Sequence, residues 1–317
     1  MGNIIINGLQ QGLIYGFMAL GVLLTFRILG FPDLTVEGTF PLGAAVTAKA
    51  VVVGVDPILA VLLGSLAGGL AGAATGLMHT RMKVNNILAG ILTTSGIYTV
   101  MLRTMGRPNI PLLSNDNFFS RTLSFFGITE SSLSLLQYQI AMITTLFAMV
   151  VVVRLILGWF LKTDLGLTIR ATGSNEGMIR TLGVNTDNTK LLTLIIANFL
   201  VAFSGALACQ SQGFADVGMG LGVLVAAIAS VIIGEILFGG KKLSMLLTGA
   251  ILGSIIYRAL LAIGIRLNLP AEDFKMVTAL LVLLALALPN LRAKSQKPKS
   301  ITEITTSIDG VGNYDKA

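Results

Sequence analysis

Long apolar runs, broken by short polar turns, fill most of the chain. Runs of about 20 residues without regular polar positions predict membrane crossings, not surface helices or strands. They lie at roughly 4–28, 34–54, 57–78, 86–104, 136–161, 189–210, 221–238, 244–265 and 274–291. Polar stretches separate them at 105–135, at 162–188, up to Gly220, and at Gly239-Gly240-Lys241-Lys242. The expected fold is all-α: a polytopic transmembrane helix bundle of about nine spans (eight to ten) over residues 1–291. The tail, 292–317, is rich in Ser, Thr and Lys and reads as disordered.

Glycine ladders recur at helical spacing: Gly8, Gly12 and Gly16; Gly64, Gly68, Gly72 and Gly76; Gly249 and Gly253. Such ladders let backbones approach closely, and packing inside the bundle is favoured over an oligomer contact. The second run opens on Phe31-Pro32-Asp33-Leu34-Thr35-Val36-Glu37-Gly38-Thr39-Phe40-Pro41. Prolines and acids there predict a broken or re-entrant helix lining a cavity. The alternative is a loop running to Thr39, capped by Asp33 or Thr35.

Composition removes other classes. Charged residues make up 12% and the mean hydropathy is +0.85, whereas soluble domains carry about 25% charged residues. The net charge of +7 comes largely from bases in short turns, so it reports orientation and not nucleic acid. A cytoplasmic tail places Arg27, Arg81, Lys83, Lys162, Arg170, Arg180, Lys190, Lys241 and Lys242 on the cytoplasmic side. The N-terminus is then extracytoplasmic. One cysteine, Cys209, and one histidine, His79, exclude an internal disulfide and a multi-histidine metal site. No cleavable signal peptide is expected.

Few ionisable residues fall within the runs. Glu235 can snorkel or meet Lys241 or Lys242; Arg258 must meet an acid or face the permeation path. Polar residues that could line a path are Asp33, Thr35, Glu37, Thr39, Thr94 and Asn198. Asn85, Asn86, Thr93, Ser95, Gln210, Ser211 and Gln212 read first as interhelical hydrogen-bond partners.

The segment 162–188 is the most informative. Ser174 or Asn175 can cap a helix, Glu176 suits its positive end, and Gly183 can end it. Met178, Ile179 and Leu182 share one side and Arg180 another. A helix of about two turns is too short to stand alone in water, so it must dock on the bundle, the lipid interface or a partner.

Gly166-Leu167-Thr168-Ile169-Arg170-Ala171-Thr172-Gly173-Ser174-Asn175-Glu176, followed by Gly183-Val184-Asn185, resembles the coupling loop of bacterial ABC importer permeases of the branched-chain amino acid and ribose family. Asp33-Leu34-Thr35-Val36-Glu37-Gly38 is similar to that family's DLSVG segment, with Thr for Ser and an inserted Glu. Gly220-Leu221-Gly222-Val223-Leu224-Val225-Ala226-Ala227, running to Phe238-Gly239-Gly240, is a third match. Segment two and the Gly106-Arg107-Pro108-Asn109 loop look closest to a branch whose members include amino-acid carriers. The resemblance implies that Gly173, Ser174, Asn175, Glu176, Gly177, Met178, Ile179, Leu182 and Gly183 engage a separate ATPase subunit. It also implies a second permease subunit, expected as a homodimer, an extracytoplasmic solute-binding protein, and a bacterial cytoplasmic membrane. Glu235 stands where relatives more often have a small or neutral residue. The chain has no Walker A motif, so ATP would belong to the partner and no cofactor to this chain.

Two other classes fit the sequence less well. An ion-coupled secondary transporter would need intramembrane carboxylates, and only Glu37 and Glu235 qualify. An intramembrane enzyme lacks a nucleophile with a base, metal ligands or paired acids.

Overall fold

A computed structural model describes residues 2–112, 117–125, 134–239 and 242–266, together with 276 and 283. Helix α1 (Gly2–Val22) widens into a π-helical turn, Leu23–Ile28. Then come α2 (Val36–Val52), α3 (Pro57–Thr80), α4 (Asn86–Met105), strand β1 (Asn109–Pro111), α5 (Phe118–Phe125) and α6 (Leu135–Phe160). Next are α7 (Asp164–Ser174), α8 (Glu176–Thr181), α9 (Thr186–Gln212) and β2 (Phe214–Asp216). A 3-10 turn (Val217–Gly220) leads into α10 (Val223–Phe238), and α11 (Leu243–Arg266) follows.

Among the described residues, seven helical segments are long and apolar enough to cross a membrane: Ile6–Ile28, Pro57–Thr80, Asn86–Met105, Leu136–Phe160, Thr186–Gln212, Val217–Phe238 and Leu243–Gly264. Helix α2, 17 residues long, spans about 25 Å, short of a hydrocarbon core of about 30 Å. The ninth expected crossing, apart from 276 and 283, and the tail lie outside the described residues. The fold departs slightly from all-α. β1 and β2 pair antiparallel, with Ile110 opposite Ala215.

The core is built around α1, α2 and α9, whose facing sides are almost wholly buried. Glycines set the spacing. A Cβ on Gly68 or Gly72 would strike α9, and one on Gly205 would strike the Phe40 carbonyl of α2. A Cβ on Gly12 would meet Ile255 of α11, and one on Gly253 would meet α10. All three glycine ladders therefore pack inside the bundle. Helices α4 and α6 instead keep broad apolar faces exposed, including Ile91, Leu92, Ile140, Phe147 and Leu155.

The break expected at Pro41 is not there: α2 runs continuously through it. The missing amide releases only the Glu37 carbonyl, which lies against Gly220. The irregular chain lies on either side of α2. Its lead-in, 29–35, is non-helical, with Phe31, Asp33 and Thr35 buried. The second irregularity is in the seventh run, where Gly222 takes φ +79° to start α10 after the 3-10 turn. Only glycine adopts that backbone readily.

Candidate functional site

Two polar clusters occupy different depths. The inner one joins α2, α3, α4 and α9. Asp33 Oδ1 accepts the Thr35 amide at 2.9 Å, which anchors the start of α2. Asp33 Oδ2 accepts Asn198 Nδ2 at 2.7 Å, across 165 residues of sequence. Thr39 Oγ1 donates to Asn198 Oδ1 at 2.9 Å. Thr35 and Thr75 hydroxyls lie 2.7 Å apart, and Thr75 reaches Thr93 at 2.8 Å. Each of these six side chains is buried. Thr75 lies five residues inside the end of α3, so the cluster sits more than a turn below the surface.

Of the residues expected to line a path, Asp33, Thr35, Thr39 and Asn198 are therefore brought together, but they bond to one another. Thr94 is half-buried and donates to the Leu34 carbonyl at 3.2 Å. Glu37 is half-buried and, among the described residues, makes no side-chain hydrogen bond or ion pair. Thr75, central to the cluster, was not singled out from sequence. Its partner Thr93 was grouped with the interhelical bonders. A threonine ladder facing another is the available signal.

The outer cluster surrounds α8. Asn175, not Ser174, caps this helix: its side chain accepts the Met178 amide at 3.0 Å. Ser174 instead ends α7, an eleven-residue helix not foreseen. Thr163 caps α7, and Ile169 and Thr172 form its buried edge. Gly183 ends the segment at φ +81°, as expected. Glu176 accepts Arg180 at 2.8 Å, Thr186 at 3.1 Å and Lys190 at 2.9 Å. Arg180 also bonds Asp187 at 3.0 Å, and Lys83 reaches the other oxygen of Asp187 at 3.0 Å. Partial burial pushes Glu176 up, but Lys190, Thr186 and Arg180 outweigh it and hold the carboxyl below its ordinary range.

These contacts tie α8 to the start of α9 and to the α3–α4 turn around a cleft of about 540 Å³. None of α8 is buried: Met178 is 58% exposed, the following Leu182 67%, and Ile179 half-buried. Gly177 has open space around it. This short helix therefore shows large apolar side chains to its surroundings from an ion-paired polar base. Gly173 connects this surface to the bundle by lying against the Ile28 carbonyl of the π-helical turn.

Two charges find partners other than those expected. Glu235 pairs with Arg27 on the π-helical turn, not with Lys242. Arg258 stacks over the Tyr15 ring with its guanidinium carbon 3.3 Å from the centroid. Among the described residues it meets no acid, and a cation over an aromatic face is stabilised without one. Arg27, Lys83, Arg180 and Lys190 all gather at one end of the bundle. At the opposite end, Arg121 pairs with Asp56 at 2.8 Å beside the β ribbon.

Residues 4–286 match the family model described as branched-chain amino acid transport system / permease component. The chain belongs to that family. It is a multi-pass membrane protein and a permease subunit of the ABC importer class. The permease is 38% identical to a tyrosine transport system permease protein of Clostridioides difficile, over 92% of this chain and 94% of that protein. It is 32% identical to an uncharacterized protein, RP368, of Rickettsia prowazekii, over 90% and 97%. It is 27% identical to the ribose import permease protein RbsC of Escherichia coli K12, over 91% and 86%.

Proposed function

We propose that this permease forms, with a second copy of itself, the path for an amino acid, and that a separate ABC-type ATPase drives it through α8. The exposed Met178 and Leu182 beyond the Glu176–Arg180–Lys190 base are the observation that carries the coupling. Closure of the ATPase pair would move α8. The ion pairs would pass that motion to α9, and Gly173 would pass it to the π-helical turn of α1. The basic end then faces the cytoplasm, with the N-terminus and β ribbon outside, where a solute-binding protein would deliver its cargo. The tyrosine permease likeness supports an amino-acid solute, aromatic ones included.

The test of coupling is co-purification of the full chain with its ATPase. Gly177→Asp and Leu182→Asp should each remove the ATPase while leaving the thermal midpoint of the permease unchanged. Both sites are exposed, so the fold should tolerate them. Stoichiometric ATPase on either variant refutes the docking. For the solute, ATP-dependent tyrosine uptake by the complete reconstituted system should exceed ribose uptake. Equal or reversed uptake refutes the amino-acid reading.

The path is proposed to run along the half-buried side of the inner cluster, past Glu37 and Thr94. Thr94→Cys should react with a water-soluble thiol reagent and Thr39→Cys should not. An inert Thr94→Cys in every nucleotide state removes this segment from the path.

A further inference from the structure

Where α6 meets the opening of α11, two cations stand without an acid among the described residues. Arg154 donates Nε to Thr248 Oγ1 at 3.0 Å and Nη2 to Ser244 Oγ at 2.7 Å, which leaves Nη1 unused. Lys162, two turns further on, is exposed and makes no side-chain hydrogen bond or ion pair among the described residues. Together with Gly158, Trp159, Leu243 and Ser244 they line a cleft of about 270 Å³. No described carboxylate lines it. Several cations at this end have acids: Arg27 has Glu235, Lys83 has Asp187, and Arg180 has Glu176 and Asp187. Arg81, Arg170 and Lys242 make no ion pair among the described residues, so it is the apolar wall and the hydroxyls that set this cleft apart.

The surroundings are those of a membrane interface. Trp159 is 70% exposed, where an amphipathic ring sits at head-group depth. Leu155 and Ile156, one turn deeper, are exposed as well. Helix α6 is mostly unburied and strongly apolar, as a lipid-facing span is. The opening turn of α11 adds the positive end of a helix dipole. Positive charge at head-group level, hydroxyls beside it and an apolar wall below match an anionic phospholipid. A free phosphate would satisfy the cations but would leave the apolar wall without a ligand.

We infer that this cleft binds the head group of an anionic phospholipid, with Arg154 and Lys162 on the phosphate and the acyl chains along Leu155 and Ile156. The inference is independent of the transported solute.

The full chain is purified and transferred to nanodiscs of phosphatidylcholine containing a minor fraction of phosphatidylglycerol. Lipid retained through delipidation is then counted by native mass spectrometry. Wild type should retain phosphatidylglycerol in preference to phosphatidylcholine. Arg154→Gln and Lys162→Gln should each weaken that retention about fivefold, as expected for one cation at an anionic surface. Arg154→Gln also removes bonds to α11 and can disturb folding, so two further variants carry the test. Lys162→Gln touches no bond within the bundle. Gly158→Leu fills the cleft without changing charge, and it too should abolish the preference. Equal retention of the two lipids overturns the inference, as does an unchanged preference in both Lys162→Gln and Gly158→Leu. Displacement of phosphatidylglycerol by about 10 mM inorganic phosphate would reassign the cleft to a free anion and also overturn it.

Discussion

The inner and outer clusters use the same chemistry in opposite settings. Asp33 and Asn198 meet below the surface among threonines, with almost no solvent contact. Glu176, Arg180 and Asp187 meet in a solvent-facing cleft, with each side chain about a third exposed or more. In the dry setting a lost partner leaves a polar atom that water cannot reach, so the bond is worth most when broken. In the wet setting water and ions replace a lost partner, so each pair contributes little to stability. Stability therefore rests on the inner cluster, and the outer one is free to serve as a contact surface. The difference also bears on motion. The inner cluster fixes where α2 begins, whereas the outer one can shift by exchanging one ion pair for another.

The largest effect should come from breaking the inner cluster at its hub. Asn198→Ala strips Asp33 Oδ2 and Thr39 Oγ1 of a partner. It should cost about 2–4 kcal/mol, the sum for two buried groups left short. A thermal melt of the purified permease in detergent checks this. A midpoint within about 1 °C of wild type would show that water reaches the cluster. ATPase co-purification by the surviving folded fraction should be unchanged, which separates the two regions.

A smaller effect is expected at Thr75→Val. The volume is nearly kept, and the neighbours keep other bonds: Thr93 still donates to the Ala89 carbonyl at 2.9 Å. The cost should be about 1 kcal/mol. A loss as large as that of Asn198→Ala would mean that the threonine ladder, not the Asp33–Asn198 pair, holds α2 in place.

Much of this architecture is legible in the chain because a bilayer imposes a length and an apolar composition on every span. Helix α9 was expected at 189–210 and runs Thr186–Gln212; α3 was expected at 57–78 and runs Pro57–Thr80. Local capping chemistry was legible too, since Asn175 and Gly183 act within a few residues of themselves. What was not legible depends on distant neighbours. The π-helical turn of α1 carries Arg27, whose partner Glu235 is 208 residues away. The Asp33–Asn198 bond is of the same kind. Both residues were recognised as candidates, but nothing in the order of residues pairs them. Pro41 misled for a related reason: a proline's local cost is definite, but its carbonyl neighbour is satisfied or tolerated according to tertiary packing. Helix α7 is the exception. Leu165, Ile169 and Thr172 follow helical spacing after the Thr163 cap, so its signal is present in the chain, spread thinly among polar residues.

The smallest effect tests the outer cluster through pH. Glu176 titrates below its ordinary 4.5 in the folded protein because Lys190, Thr186 and Arg180 favour its ionised form. A carboxyl depressed by folding adds stability that is complete above its unfolded value. That stability is lost as pH falls through the folded value. Anchoring of α8 should therefore be constant from neutral pH down to about 4.5 and should weaken below it. Exposure of the site keeps the change small. Hydrogen exchange read at Met178 to Thr181 should rise below that pH, while exchange in the middle of α9 stays slow. Glu176→Gln should raise α8 exchange at neutral pH and remove the further rise on acidification. If wild type shows no rise below pH 4.5, α8 is held by something other than Glu176. Arg180 on Thr186 and Asp187, and Gly173 against the Ile28 carbonyl, are then the remaining attachments, and Arg180→Gln and Gly173→Val become the variants that tell them apart.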